Sequence, residues 1–134
     1  CSGGIGVLKE PIKLQIRKGR AVDISGGSQA VQLREILEAE RTESVFQVAE
    51  LAIGLNPKCE ITGVINEDEG KYGTCHIALG SNASFGGNNP APLHIDMVQD
   101  CPTITIDGEV ICKDGKLMAA KLALTSEEGN GHAL

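Results

Sequence analysis

The sequence has 134 residues, the length of one domain with room for a buried core. Its formal net charge of -6 excludes the clustered positive charge that binding a nucleic-acid backbone requires. No apolar run reaches the roughly 18 residues of a membrane-spanning helix, so no membrane is expected as a partner. Five cysteines without disulfide or zinc-site spacing, and no visible signal peptide, indicate reduced thiols in the cytoplasm.

The first part of the chain predicts a hairpin followed by a helix. Apolar residues alternate on both sides of a glycine-containing turn over residues 12–24, which is typical of two paired strands. Ser28 is the predicted N-cap of a helix that runs to about Glu40. Residues at helical spacing give this helix one apolar face: Ala30, Val31, Leu33, Ile36 and Leu37.

The remainder reads mostly as strands. The apolar segments predicted as strands are residues 46–55, 74–79, 92–98, 103–106, 109–112 and 116–118. The Asp107-Gly108 and Asp114-Gly115 pairs predict tight hairpin turns.

Three connecting segments are less regular. Residues 61–65 fit either a short strand or the start of a helical turn, and the acidic cluster at residues 66–71 is predicted to form a solvated loop. The loop 80–89 is expected to need a positive φ at Gly86 or Gly87.

The predicted fold is an α+β domain, mainly an antiparallel β-sheet or barrel-like, with one packed helix. Residues 1–118 form the predicted β-rich metal-site domain, and residues 119–134 a partly flexible C-terminal segment. The chain begins with Cys1 rather than Met, and we expect it to be a fragment, namely the C-terminal domain of a larger two-domain protein.

A possible metal site is indicated by four polar residues within apolar segments. His94 and Asp96 are two residues apart in a predicted strand, so their side chains should lie on the same face. His76 and Glu50 lie within two other strands, where a buried carboxylate is unfavourable unless it is paired or bound to metal. The alternative is that the histidines are ordinary hydrogen-bonded core residues, and the residues alone leave the two interpretations equally open.

The same segments resemble a known family. AELAIGLNP (49–57), GTCHIALG (73–80) and HID (94–96), in this order, are similar to the C-terminal half of the thermophilic metalloaminopeptidases, the aminopeptidase T or leucyl aminopeptidase-like proteins. The resemblance implies a cytoplasmic hydrolase that removes N-terminal residues from a peptide substrate. It also implies a homodimer, a separate N-terminal α/β domain, and two divalent metal ions, zinc or cobalt, with manganese as a further candidate.

The resemblance also implies roles for individual residues. Glu50 would be the catalytic glutamate and a metal ligand, His76 a terminal ligand, and His94 with Asp96 the paired ligands on the last strand. Glu69 would be a further ligand, but only with a two-residue shift of its loop.

This chain departs from the peptidase pattern at several positions. Lys71 stands where the family has an acidic ligand, and Ala83 stands where it has a tyrosine. The connection to His94 is shortened, and another metal-binding glutamate would lie upstream of Cys1. The fragment alone is therefore expected to be inactive as a peptidase.

Two alternatives from other classes remain. The dihydroxypyridine ring-cleaving dioxygenases look like distant relatives and use one Fe(II) held by two histidines and one carboxylate. Their second histidine is aligned with Glu50, which favours the hydrolase. The other alternative is a non-catalytic β-rich dimerisation domain with a degenerate metal site.

Overall fold

The computed structural model describes residues 4–118. The predicted flexible segment 119–134 lies outside these residues. The elements of the described part are β1 (Lys13–Arg17), β2 (Arg20–Ser25), α1 (Ser28–Ala39), β3 (Val48–Ile53), α2 (Ile65–Asp68), β4 (Thr74–Gly80), β5 (His94–Asp100), β6 (Ile104–Ile106), β7 (Glu109–Lys113) and β8 (Lys116–Leu117). Short 3₁₀ turns at Glu43–Phe46 and Ala83–Phe85 precede β3 and follow β4.

The strands of the described part form three separate antiparallel sheets. β1 pairs with β2, the central sheet has the order β3-β4-β5, and the last sheet has the order β6-β7-β8. The prediction of a mainly antiparallel, β-rich fold is therefore confirmed. The barrel-like alternative is wrong, because these sheets stay open and do not close on one another. Membership in a larger two-domain protein remains a prediction.

One face of α1 packs against the strands, as its apolar spacing predicts. Leu33 and Leu37 are fully buried, whereas Val31 is half exposed at the edge of the apolar stripe. The core cluster also contains residues from the hairpin, the first 3₁₀ turn and the central sheet: Ala21, Ile24, Ala30, Val45, Leu79 and Ile95. Burying each leucine stabilises the fold by about 1.5–3 kcal/mol. This core fixes the back of the central sheet.

The start of α1 differs from the prediction. Gly27 is the N-cap, without a side-chain hydrogen bond, and Ser28 is already the first helical residue. The predicted N-cap at Ser28 is wrong by one position, because Gly27 adopts the extended backbone that precedes the helix.

The hairpin turns follow the glycine pairs. Asp107 and Gly108 have φ of 50° and 84°, and Asp114 and Gly115 have φ of 49° and 76°. Two consecutive positive φ angles are typical of the turns that join paired strands. The predicted turns at both Asp-Gly pairs are confirmed, as is the positive φ at Gly86, which is 82°.

The acidic segment 66–71 contains one buried carboxylate, that of Asp68. Residues 65–68 form α2, so the helical reading of the preceding segment is correct. Asp68 is fully buried, and its carboxylate accepts hydrogen bonds from the backbone N–H groups of Thr62 and Gly63 and from the Thr62 hydroxyl. The predicted solvated loop is wrong at Asp68, because local donors replace water around this side chain. Within residues 4–118, neither helix has the length and apolar character needed to cross a membrane.

Candidate metal centre

The central sheet brings the predicted ligands together through its register. Glu50 on β3 is paired with Ala78 on β4, and Ala78 is paired with Asp96 on β5. His76 and Ala78 share one face of β4, while His94 and Asp96 share the same face of β5. The other face of the sheet carries Leu79 and Ile95 into the core, so alternation along the strands separates packing from the polar face.

The four polar side chains of this face converge. The ligand atoms of Glu50, His76 and Asp96 lie within 4.8 Å of one another. One carboxylate oxygen of Glu50 lies 3.5 Å from His76 Nε2, and the other lies 3.6 Å from His94 Nε2. His94 Nε2 is also 3.2 Å from Asp96 Oδ1. We call these four residues the four-donor cluster.

His94 is held in a defined orientation. Its Nδ1 lies 2.6 Å from the carbonyl oxygen of Ser81, and because a carbonyl can only accept, Nδ1 carries the hydrogen. Nε2 therefore faces the two carboxylates. Burial lowers the pKa of His94, but the hydrogen bond to Ser81 and the charges of Asp96 and Glu50 outweigh it and raise that pKa.

His76 is the most deeply buried member of the cluster. Its residue exposure is 7%, and its Nδ1 has no hydrogen-bond partner among the described residues. A buried ring nitrogen without a partner is unfavourable by about 1–3 kcal/mol. This nitrogen is the one buried side-chain polar atom of the described part that lacks a partner.

Glu69, the fifth predicted ligand, lies directly after α2 and is not part of the group of three. Its pKa is raised, first by burial and then by the negative charge of Asp96. The carboxyl group of Glu69 therefore interacts electrostatically with the residues of the cluster.

The two positions that depart from the peptidase pattern are not among the four donors. Lys71 donates a hydrogen bond of 2.7 Å to Asp100, at the other end of β5 from His94. Ala83 lies in the 3₁₀ turn after β4.

Sequence reasoning missed two residues beside the cluster. Ser81 contributes only its backbone carbonyl, which no sequence pattern reports. Phe85 lies with its ring centroid 5.7 Å from that of His94, at an interplanar angle of 49°. Its position in a loop rich in Ser, Asn and Gly was the only available signal.

The chain is similar to known oxygenases. It is 27% identical over 121 residues to the 2,5-dihydroxypyridine 5,6-dioxygenase of Pseudomonas putida KT2440, covering 83% of this chain and 34% of the relative. The solved structure of 2,5-dihydroxypyridine dioxygenase from Pseudomonas putida KT2440 superposes with a TM-score of 0.77 at 25% identity, covering 86% of this chain and 36% of that chain. The chain thus spans about a third of the length of these relatives.

These similarities correct the peptidase interpretation. The predicted aminopeptidase family, hydrolase activity and peptide substrate are wrong, since the matching proteins are dioxygenases. The implied homodimer and separate N-terminal α/β domain lose their basis with that resemblance. The pair of zinc, cobalt or manganese ions is wrong as well, because such dioxygenases typically use a single iron ion.

The physical reason for the error is that imidazoles and carboxylates at strand spacing suit hydrolytic and oxygen-activating metals alike. The family match itself covers residues 6–119, well over half of the chain. The chain belongs to the NicX, or 2,5-dihydroxypyridine 5,6-dioxygenase, family.

Proposed function

We propose that this chain contributes the metal centre of a ring-cleaving dioxygenase. In this proposal His76, His94 and Asp96 hold one iron(II) ion. His76 takes the place of the histidine that such dioxygenases have at the position of Glu50, and Glu50 supplies a further oxygen donor. The observation that carries it is the convergence of the four-donor cluster: the ligand atoms of Glu50, His76 and Asp96 lie within 4.8 Å of one another, and His94 Nε2 lies 3.2 Å from Asp96 Oδ1. Two histidines and a carboxylate are the ligand set of many non-haem iron(II) oxygenases.

The hydrogen bonding of the cluster supports a bound cation. Because His94 Nδ1 donates to Ser81, the neutral ring presents a lone pair at Nε2. That lone pair would face Asp96 Oδ1 at 3.2 Å and Glu50 Oε2 at 3.6 Å, and neither oxygen carries a hydrogen when ionised. Acceptor atoms so arranged repel one another unless a proton or a metal ion lies among them.

The chain's own residues would orient the ion and its ligands. The Ser81 carbonyl accepts a hydrogen bond from His94 Nδ1 and fixes the ring. Hydrogen bonds from the ring nitrogen that does not bind the metal keep histidine ligands in place. The two carboxylate oxygens of Glu50 each lie near one imidazole, so Glu50 would help to fix the positions of the two histidine rings relative to each other. Bound iron(II) would supply the redox chemistry with oxygen and polarise the hydroxyl groups of the ring.

The names of the relatives support the substrate class, a dihydroxylated pyridine or a similar aromatic ring. Since the chain spans about a third of their length, this activity is proposed for the full-length protein. A cytoplasmic location is part of the proposal and is supported by the free thiols at Cys59, Cys75, Cys101 and Cys112.

Oxygen uptake by full-length protein tests the proposal. The protein is loaded anaerobically with iron(II), mixed with 2,5-dihydroxypyridine and air-saturated buffer, and followed by an oxygen electrode and by loss of the ring absorbance. We expect one oxygen molecule consumed for each ring lost, no turnover with zinc, and no turnover of the His94→Ala variant. An iron-loaded wild type that consumes no oxygen, or a His94→Ala variant with unchanged turnover, would refute the proposal.

A further inference from the structure

An exposed aromatic ring lies beside the four-donor cluster. Phe85 is 64% exposed, and its ring centroid lies 5.7 Å from that of His94. The other phenylalanine, Phe46, packs against the hydrophobic core instead. Phe85 therefore contributes little to the core of the described part, and its open surface is the feature that needs an explanation.

The loop that carries Phe85 is held together by several hydrogen bonds. Asn82 and Asn89 connect the two ends of the loop by two hydrogen bonds. The Asn82 N–H donates to the Asn89 carbonyl, and the Asn89 N–H donates to Asn82 Oδ1 at 2.9 Å. The Asn89 side chain then donates to the carbonyls of Ser44 at 2.8 Å and Gly80 at 2.7 Å, which ties the loop to the end of β4. These hydrogen bonds hold the loop backbone that carries Phe85 next to the end of β4.

An aromatic ring beside a proposed metal ligand suits a flat aromatic molecule. Offset and tilted aromatic pairs attract one another at centroid separations of about 4.5–7 Å, and a bound ring adjoining His94 would come within reach of Phe85. We propose that Phe85 forms the aromatic wall of the substrate site, contacting the ring of the dihydroxylated substrate while the hydroxyl groups face the metal. This inference rests on the proposed function, whose substrate class it uses.

Direct binding tests the inference without turnover. Full-length protein is loaded with iron(II), kept anaerobic and titrated with 2,5-dihydroxypyridine by calorimetry. Oxalate, a chelator without a ring, is titrated in parallel. We expect Phe85→Ala to weaken binding of the ring about tenfold, and Phe85→Tyr to change it by less than about threefold. The Kd for oxalate and the iron content should stay at their wild-type values in both variants.

A matched control comes from β6, where Ile106 is 49% exposed on a different sheet. Ile106→Ala should leave ring binding unchanged. Unchanged ring affinity in Phe85→Ala would overturn the inference. So would an equal loss of ring and oxalate affinity, which would show that Phe85 only supports His94.

The two proposals fail separately. Phe85-dependent ring binding without oxygen uptake by the wild type would refute the dioxygenase reaction and leave the aromatic wall standing. Oxygen uptake by the wild type together with ring binding that does not depend on Phe85 would refute the aromatic wall and leave the dioxygenase reaction standing.

Discussion

Iron(II) should stabilise the folded protein, because the four donors converge only in the folded sheet. A ligand that binds only the native state adds RT ln(1 + [L]/Kd) to the free energy of unfolding, or about 2.7 kcal/mol at a hundred times its Kd. For a protein of about 150–250 residues, that corresponds to a rise in Tm of roughly 5–10 °C, and the rise becomes smaller as the protein becomes larger. Anaerobic calorimetry with and without iron(II), and again after a chelator, measures the shift.

Asp96 and Asp100 provide a matched pair of variants, because both lie on β5 but only Asp96 belongs to the cluster. We expect Asp96→Asn to weaken iron binding at least tenfold, since it removes a negative oxygen donor. At the same iron concentration the stabilisation would then fall to about 1.4 kcal/mol or less. Asp100→Asn should lower Tm slightly and equally with and without iron, leaving the iron-induced shift intact. Equal shifts in the wild type and Asp96→Asn would refute the assignment of the cluster as the metal site.

Two further predictions concern the segments around the cluster. Asp68→Ala should lower the free energy of unfolding, measured with urea, by about 3 kcal/mol. The reason is that the charge-assisted hydrogen bonds from the two backbone N–H groups are lost. Glu60→Ala, at an exposed carboxylate nearby, should stay within about 0.5 kcal/mol of the wild type, and a similar small loss for Asp68→Ala would contradict the burial argument. The pair between Lys71 and Asp100 should contribute less than about 1 kcal/mol in a double-mutant cycle. Its hydrogen bond lowers the pKa of Asp100 and raises that of Lys71, so this contribution should disappear as the pH falls below the ordinary aspartate range or rises above the ordinary lysine range. A coupling energy that is independent of pH would contradict it.

The secondary structure could be predicted where local rules dominate. The apolar spacing in α1 and the Asp-Gly pairs depend on neighbouring residues only, and both features appear as expected. The pairing of His94 with Asp96 on one face follows from the alternation of a strand. Convergence with Glu50 and His76 also needs the order and register of three strands, which no single segment contains.

The burial of Asp68 and the reaction class could not be obtained in this way. The burial of Asp68 depends on donors supplied by Thr62 and Gly63, whereas composition reports only a cluster of acidic residues. The choice between hydrolase and oxygenase depends on which ion occupies the donors and on what lies around them. Glu50 favours a hydrolase in the sequence because it stands where the dioxygenases have their second histidine, but the residue type at one position does not fix the metal.

Ala78 is paired with both Glu50 and Asp96, so a larger side chain at this position could block the metal site. Neighbouring strands are about 4.8 Å apart, so the side chain at position 78 forms the floor between the two carboxylates. A methyl group leaves the space above it for an ion, whereas a branched or longer side chain would occupy that space itself. Whether this sheet can hold a metal thus depends on the small size of Ala78, which is not a ligand, as well as on the four residues that offer ligand atoms.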